Sequence, residues 1–420
     1  MSETKIDYSS HNLKVLPNLP NSLEDLDCYN NQLTALPNLP ESLKYLNCEN
    51  NQLTTLPTLP NNLILLDCQN NLLTVLPTLP NSIKRLICPD NQLTFLPTLP
   101  NHLDDLRCYN NQLTALPTLP NSLVKLYCYN NQLTELPTLP ENLRSLYCYN
   151  NQLTELPTLP NRLLELDCNN IKLTALPTLP NRLVRFKCSD NQLKVLPNLP
   201  NNIEILYCYN NQLTELPTLP NSLEILNCNN NLLSVLPTLP YSLRSLNCDD
   251  NQLTALPSLP NRIEALSCSN NKLTALPTLP NSLIVLTLSV YQVVLLGTIP
   301  RDNTKLYIDD ENEYPEDLTK ELTKELTNEV EQHYEKINKK INDLKTQLGE
   351  RLILNCPKYK EKTNNIINLK ATGKTPVIST RKEPSISLPD ELFQQQIKSF
   401  LGGKKSKRKS NKKKRTTRKK

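Results

Sequence analysis

None of the five glycines in this 420-residue chain comes before Gly297. Tight turns in the first two thirds of the chain therefore fall to asparagine, which tolerates left-handed backbone better than most residues. Catalytic groupings are missing as well. His11, His102 and His333 are isolated, with no nucleophile or carboxylate at a spacing that suggests a partner, which argues against acid–base or nucleophilic chemistry. Gly373-Lys374-Thr375 resembles the end of a phosphate loop, but the position of the required first glycine holds Asn368 and no strand precedes it. No apolar run lies near the N-terminus, so neither a signal peptide nor a membrane span is expected. The fourteen cysteines have no second ligand type at any fixed offset, as a metal site would require. The expectation is a protein that is not an enzyme and uses no cofactor or metal.

What the chain has is a twenty-residue unit, seen cleanly at Leu23–Ser42 as LEDLDCYNNQLTALPNLPES and recurring in register to about residue 300. An internal repeat of that period means a solenoid. Around Leu26-Asp27-Cys28 the side chains alternate inward, outward, inward, the period of a strand. One such strand buries almost nothing alone; stacked on its copies it becomes a rung of a parallel sheet. Leu23, Leu33, Leu36 and Leu39 fill the space behind. The LPNLP or LPTLP half cannot be helix interior, because proline fixes φ and removes a donor, and the residue before it is pushed to extended geometry.

Asn31 and its equivalents are expected to carry the turn and to form a ladder, each amide bonding main-chain groups of its own and neighbouring turns. The ladder residues are Asn31, Asn51, Asn71, Asn91, Asn111, Asn131, Asn151, Asn191, Asn211, Asn231, Asn251 and Asn271, with Ile171 and Tyr291 as exceptions. Ile171 should be a local weak point. The thirteen cysteines from Cys28 to Cys268 recur at steps of twenty. In-register parallel strands hold such side chains near 4.8 Å, wider than the mean of roughly 3.8 Å between the Cβ atoms of a disulfide. Buried thiols acting as small apolar residues are expected, in a reducing compartment, cytoplasmic or nuclear.

These residues resemble the leucine-rich repeat family in its short twenty-residue class. The LPxLPxSLxxLxxxxNxLTxLPxLP pattern looks most like the repeats of bacterial type III effectors, and similar arrays occur in proteins of giant DNA viruses. The resemblance covers about 290 residues and departs from the family at the cysteine, where an aliphatic is usual. It implies a leucine-rich repeat solenoid, a horseshoe with short parallel β-strands on the concave face and an extended or polyproline convex side, followed by a C-terminal helical segment and a disordered basic tail. It also makes a viral source, acting in an infected host cell, the expected setting. Effectors with this repeat class can carry a ligase domain with a catalytic Cys-x-Asp; here Cys356 is followed by Pro357 and Lys358 in a tail too short for that domain.

The expected organisation is a degenerate first rung over 1–12, with Ile6 and Tyr8 at the Leu26 and Cys28 positions, then about 14 repeats over 13–300. Residues 301–350 read as an acidic stretch and a long amphipathic helix, from Pro315 to Gly349, that serves either as a cap or as a dimerising coil. A linker covers 351–386. Residues 387–401, SLPDELFQQQIKSFL, form a separate amphipathic helix that resembles the opening helix of the F-box. That likeness implies docking on a Skp-type adaptor through Leu388, Pro389, Leu392, Ile397, Phe400 and Leu401; a short helix with no such role is the alternative. The tail 402–420 holds twelve Lys or Arg and no acid, leaving about −7 for the rest of a chain of formal charge +5. An import signal, a non-specific nucleic-acid contact through 404–420 or a solvated tail all fit such a run.

What remains is a surface for a protein partner. Most outward positions of the concave face are Asn, Asp, Ser or Glu, and a cluster stands apart: Tyr109, Tyr127, Tyr129, Tyr147 and Tyr149, with Tyr207 and Tyr209 further along. Tyrosine is favoured at interface hot spots. Copying is the alternative, since YCYNNQLTELPTLP occurs unchanged at 127, 147 and 207. Three functions are therefore weighed: an interaction scaffold, an F-box-like adaptor for a host cullin ubiquitin ligase, and a nucleic-acid-associated protein.

Overall fold

The computed structural model describes residues 4–289 and, for their backbone, 305–309. The helix expected over 315–349, the linker, the F-box-like residues Leu388, Pro389, Leu392, Ile397, Phe400 and Leu401, and the basic tail lie outside the described residues.

The repeat folds as a parallel solenoid with no helix among the described residues. Its strands are β1 (Lys5–Asp7), β2 (Asp25–Asp27), β3 (Tyr45–Asn47), β4 (Leu65–Asp67), β5 (Arg85–Ile87), β6 (Asp105–Arg107), β7 (Lys125–Tyr127) and β8 (Ser145–Tyr147). They continue as β9 (Glu165–Asp167), β10 (Arg185–Lys187), β11 (Ile205–Tyr207), β12 (Ile225–Asn227), β13 (Ser245–Asn247), β14 (Ala265–Ser267), β15 (Val285–Ser289) and β16 (Lys305–Asp309). All sixteen form one sheet in sequence order. The register is one residue per rung without a slip: Leu26 pairs with Leu46 on one side and Ile6 on the other. The sheet thus begins within the first twelve residues and runs past residue 300, where Leu306 pairs with Leu286.

Each rung buries the same set. Leu23, Leu26, Cys28 and Leu33 are fully enclosed, as are their counterparts in most turns; such a leucine contributes about 1.5–3 kcal/mol on burial. The strand proper ends at Asp27, one residue before the cysteine, whose amide still donates to Asn47 O at 2.8 Å. The thirteen repeat cysteines are buried. Burial pushes their thiols up, to about 12 for Cys28, Cys108 and Cys208, so they sit in the wall as inert small side chains. After the prolines a turn closes with Leu23 N donating to Pro20 O at 3.1 Å. In several rungs the serine before the first buried aliphatic residue ties that turn to the one before it: Ser42 Oγ donates to Leu23 O at 2.6 Å and to Asn21 O at 2.8 Å.

The turning itself is shared by two residues, not carried by Asn31 alone. The left-handed residue is the one before it: Asn30 and its equivalents to Asn270, including Asp90, Asp190 and Asp250, have φ between 50° and 55°, and Ser10 in the first rung has φ 59°. Asn31 then holds what that turn leaves. Asn51 Nδ2 donates to Cys48 O at 3.1 Å in its own turn and to Cys28 O at 3.0 Å in the turn before, while its Oδ1 accepts from Leu33 N at 3.0 Å. The same pattern repeats at Asn71, Asn111, Asn131 and Asn231.

Ile171 breaks it. The Leu153 amide meets no asparagine oxygen at position 171, and Lys172 takes a second left-handed conformation, φ 62°. Ile171 N now donates to Asn191 Oδ1 at 3.2 Å. His11 stands at the same position in the first rung and behaves alike: His11 N donates to Asn31 Oδ1 at 3.1 Å, and Asn12 has φ 56°. Without the amide side chain, the peptide after this position turns over.

Candidate functional site on the strand face

Three columns of side chains leave the sheet outward, at the first and third strand residues and at the residue two beyond the strand. Because the register never slips, residues twenty apart stand side by side at strand spacing, about 4.8 Å. This converts a sequence period into physical columns, and identical side chains in a column must stack or collide.

The tyrosines stack. Tyr109 and Tyr129 lie with ring centroids 4.3 Å apart and planes 8° apart, and Tyr129 and Tyr149 repeat this at 4.3 Å and 10°. In the neighbouring column Tyr127 and Tyr147 are 4.8 Å apart at 25°. Five of the seven tyrosines singled out in the sequence are therefore one continuous aromatic surface across β6, β7 and β8. Tyr207 on β11 and Tyr209 just beyond it are separated from that surface by the β9 and β10 rungs, where the corresponding residues are Asp167, Asn169, Lys187 and Ser189. All seven rings are half-buried. Burial of the rings raises every shifted hydroxyl here; Tyr209 is pushed up to about 12, and Glu165 beside Tyr147 raises that hydroxyl further. The shifted hydroxyls, those of Tyr109, Tyr127, Tyr129, Tyr147, Tyr149 and Tyr209, are neutral hydrogen-bonding groups at any physiological pH.

Charged residues frame the rings. The Arg107 guanidinium lies 5.4 Å from the Tyr127 centroid and holds Asp105 through both Nε and Nη2, at 3.1 and 3.0 Å. Across the surface, Tyr147 Oη donates to Glu165 Oε2 at 2.9 Å, and Arg185 Nη1 donates to Glu165 Oε1 at 2.9 Å. Lys187 Nζ reaches Asp167 at 3.3 Å and also lies 5.8 Å from the Tyr207 ring. Lys187 thereby links the five-ring surface to the second tyrosine pair. Burial raises the carboxyl of Asp167, and Lys187 only partly offsets it. Where the rings end, Tyr127, Tyr129, Tyr147, Tyr149, Asp167, Asn169 and Lys187 line an open groove of about 380 Å³.

Among the described residues no group of three or more His, Cys, Asp or Glu is placed to hold a metal ion. Nor is any helix among them long and apolar enough to cross a membrane. Sequence reading missed a second, outer ladder beside the tyrosines. Asn50 Nδ2 donates to Asn30 Oδ1 at 2.9 Å, Asn150 to Asn130 at 2.6 Å and Asn230 to Asn210 at 2.7 Å. At Asp90, Asp190 and Asp250 the carboxylate accepts from the next asparagine. A carboxylate has no N–H to pass on, so each aspartate starts a new run. The repeated Asn-Asn pair was the signal; only the left-handed turn shows that the first of the two points outward.

No family model and no curated protein matches the chain. Among solved structures it is similar to YopM from Yersinia enterocolitica WA-314, with 38% identity and a TM-score of 0.63 over 70% of this chain and 70% of that one. It is also similar to the leucine-rich effector protein YopM of Yersinia pestis, with 37% identity and a TM-score of 0.61 over 68% of this chain and 88% of that one. A leucine-rich-repeat protein of Leptospira interrogans shares the fold at 24% identity and a TM-score of 0.52, over 76% of this chain and 94% of that one. With the twenty-residue period, the unbroken parallel register and this identity over two thirds of both chains, the protein belongs to the short-repeat leucine-rich-repeat family.

Proposed function

We propose that this protein is a non-enzymatic interaction scaffold that holds a protein partner on its strand face, with the tyrosine surface as the main contact. The observation that carries this is the five-ring surface over β6–β8: half-buried aromatic area, polar at its rim, on a rigid sheet. Rings already ordered by stacking lose little conformational freedom on binding, and such area with a hydroxyl tip suits interface centres. The similarity to Yersinia effector proteins supports the same reading at the level of the fold.

The test is quantitative partner capture from eukaryotic cell extract under reducing conditions, comparing the native chain with a Tyr109→Ser, Tyr129→Ser, Tyr149→Ser variant. Serine occupies that column naturally at Ser189 and Ser269, so the solenoid tolerates it. Partners of the strand face fall away at least about tenfold, the loss of a hot spot worth more than 1 kcal/mol; an unchanged partner set contradicts the proposal. A version ending at residue 386 assigns the adaptor alternative in the same experiment. Loss of a Skp-type adaptor and cullin with that version, but not with the tyrosine variant, makes residues 387–401 the contact. Nucleic acid lost only with 404–420 assigns the basic tail.

A further inference from the structure

Both tyrosine stacks end abruptly at β8, and the two directions away from them differ. Toward the N-terminal rungs Arg107 lies over Tyr127, and Pro89 takes the place before Tyr109 in its column. Toward β9 the stacks are open. The register sets Asp167 opposite Tyr147, and Asn169 takes the place after Tyr149. The groove reaches this step, with Tyr127, Tyr129, Tyr147 and Tyr149 along it and Asp167, Asn169 and Lys187 beyond the last two rings.

We infer that this open end is a subsite for an arginine side chain of the partner protein, its guanidinium stacked on the free faces of Tyr147 and Tyr149 and bonded to Asp167. This rests on the strand-face reading and names the group recognised there. The molecule already contains the recognition mode at the other end of the same column, where Arg107 lies over Tyr127 and grips Asp105 with two parallel bonds. A ring face flanked by a carboxylate is present at both ends; the arginine is present at one.

Two carboxylates border this end, each with one basic partner of its own. Lys187 approaches Asp167 from β10 and inclines to Tyr207, and the largely buried Asp167 carboxylate borders the groove beside Tyr147 and Tyr149. Glu165 adds a carboxylate at the ring edge, fixed by Tyr147 Oη and Arg185. An ionised carboxyl accepts several hydrogen bonds, and the planar guanidinium both stacks on a ring and forks to a carboxylate, which an ammonium does not. The desolvation that raises the Asp167 carboxyl is the kind of cost a second cation relieves.

The test uses the full chain labelled with 3-fluorotyrosine, titrated with the blocked tripeptides Gly-Arg-Gly and Gly-Lys-Gly and followed by fluorine NMR. Tyr→Phe variants assign the Tyr147 and Tyr149 resonances. The arginine peptide shifts these two saturably and binds several-fold more tightly than the lysine peptide. Asp167→Asn weakens it about tenfold, the loss of one charge-assisted bond. Asparagine is native at this position in Asn47, Asn227 and Asn247, so that variant keeps the fold. Equal response to both peptides, a response that survives Asp167→Asn, or no response overturns the inference. Partner capture separates it from the strand-face reading. Partners lost with the triple tyrosine variant but retained by Asp167→Asn with Glu165→Gln overturn the arginine subsite alone; partners retained by both overturn the two together.

Discussion

Exchanging one asparagine for an aliphatic residue shows what the ladder does. At Ile171 the side chain remains fully buried, yet the Leu153 amide loses the oxygen its counterparts use, and Lys172 enters a left-handed conformation that costs a non-glycine residue about 1–2 kcal/mol. Ile171→Asn therefore returns two donors and an acceptor to the rung and relieves Lys172. The loss of the isoleucine's apolar burial offsets part of this. The variant is expected to gain about 1–2 kcal/mol in denaturant unfolding, with slower hydrogen exchange at the Leu153 and Lys172 amides. No slowing at those amides contradicts the account of the ladder. Asp67 carries the opposite kind of tension. Burial raises its carboxyl to about 6, although Gln69 N bonds it and Arg107 and Arg85 oppose the effect. For an acid whose folded value lies above the unfolded one, the folded state binds the proton more tightly. Stability therefore falls as pH rises from about 4 to about 6, and the deficit is complete above that window. Asp67→Asn removes the tension: it raises stability at pH 7.5 by on the order of 1–3 kcal/mol and flattens the thermal midpoint between those pH values. An unchanged pH profile assigns the effect elsewhere.

At the scale of one rung, the sequence told more about the inside than about the turn. Strand position, the buried Leu23, Leu26, Cys28 and Leu33, and the extended proline half were all legible, because each follows from a period of two or from proline's missing donor. The division of labour between Asn30 and Asn31 was not. Both residues are asparagine in most copies, and either can turn the chain or bond its backbone; only φ tells them apart. The aspartates at 90, 190 and 250 were the available clue, since a ladder that must donate as well as accept cannot use them, whereas a left-handed turn can.

At the scale of the described solenoid, the tyrosine columns were legible as a cluster but not as stacks. Recurrence at twenty residues placed Tyr109, Tyr129 and Tyr149 in one column; that their rings would lie nearly parallel, and that Arg107, Glu165 and Lys187 would frame them, depended on rotamers that spacing does not fix. The break at β9 was in the sequence as Asp167 and Asn169, and gains meaning only once the rings end against it. Site-specific photocrosslinking tests the strand face as a binding surface most directly. A benzophenone amino acid replaces Tyr129 in one variant and Thr134, exposed five residues further along the same repeat and outside the strand, in another. Each is illuminated in cell extract, and the covalent products are compared. The account predicts a discrete protein adduct from position 129 and none from 134. An adduct from 134 with none from 129 would place the partner off the strand face and contradict it.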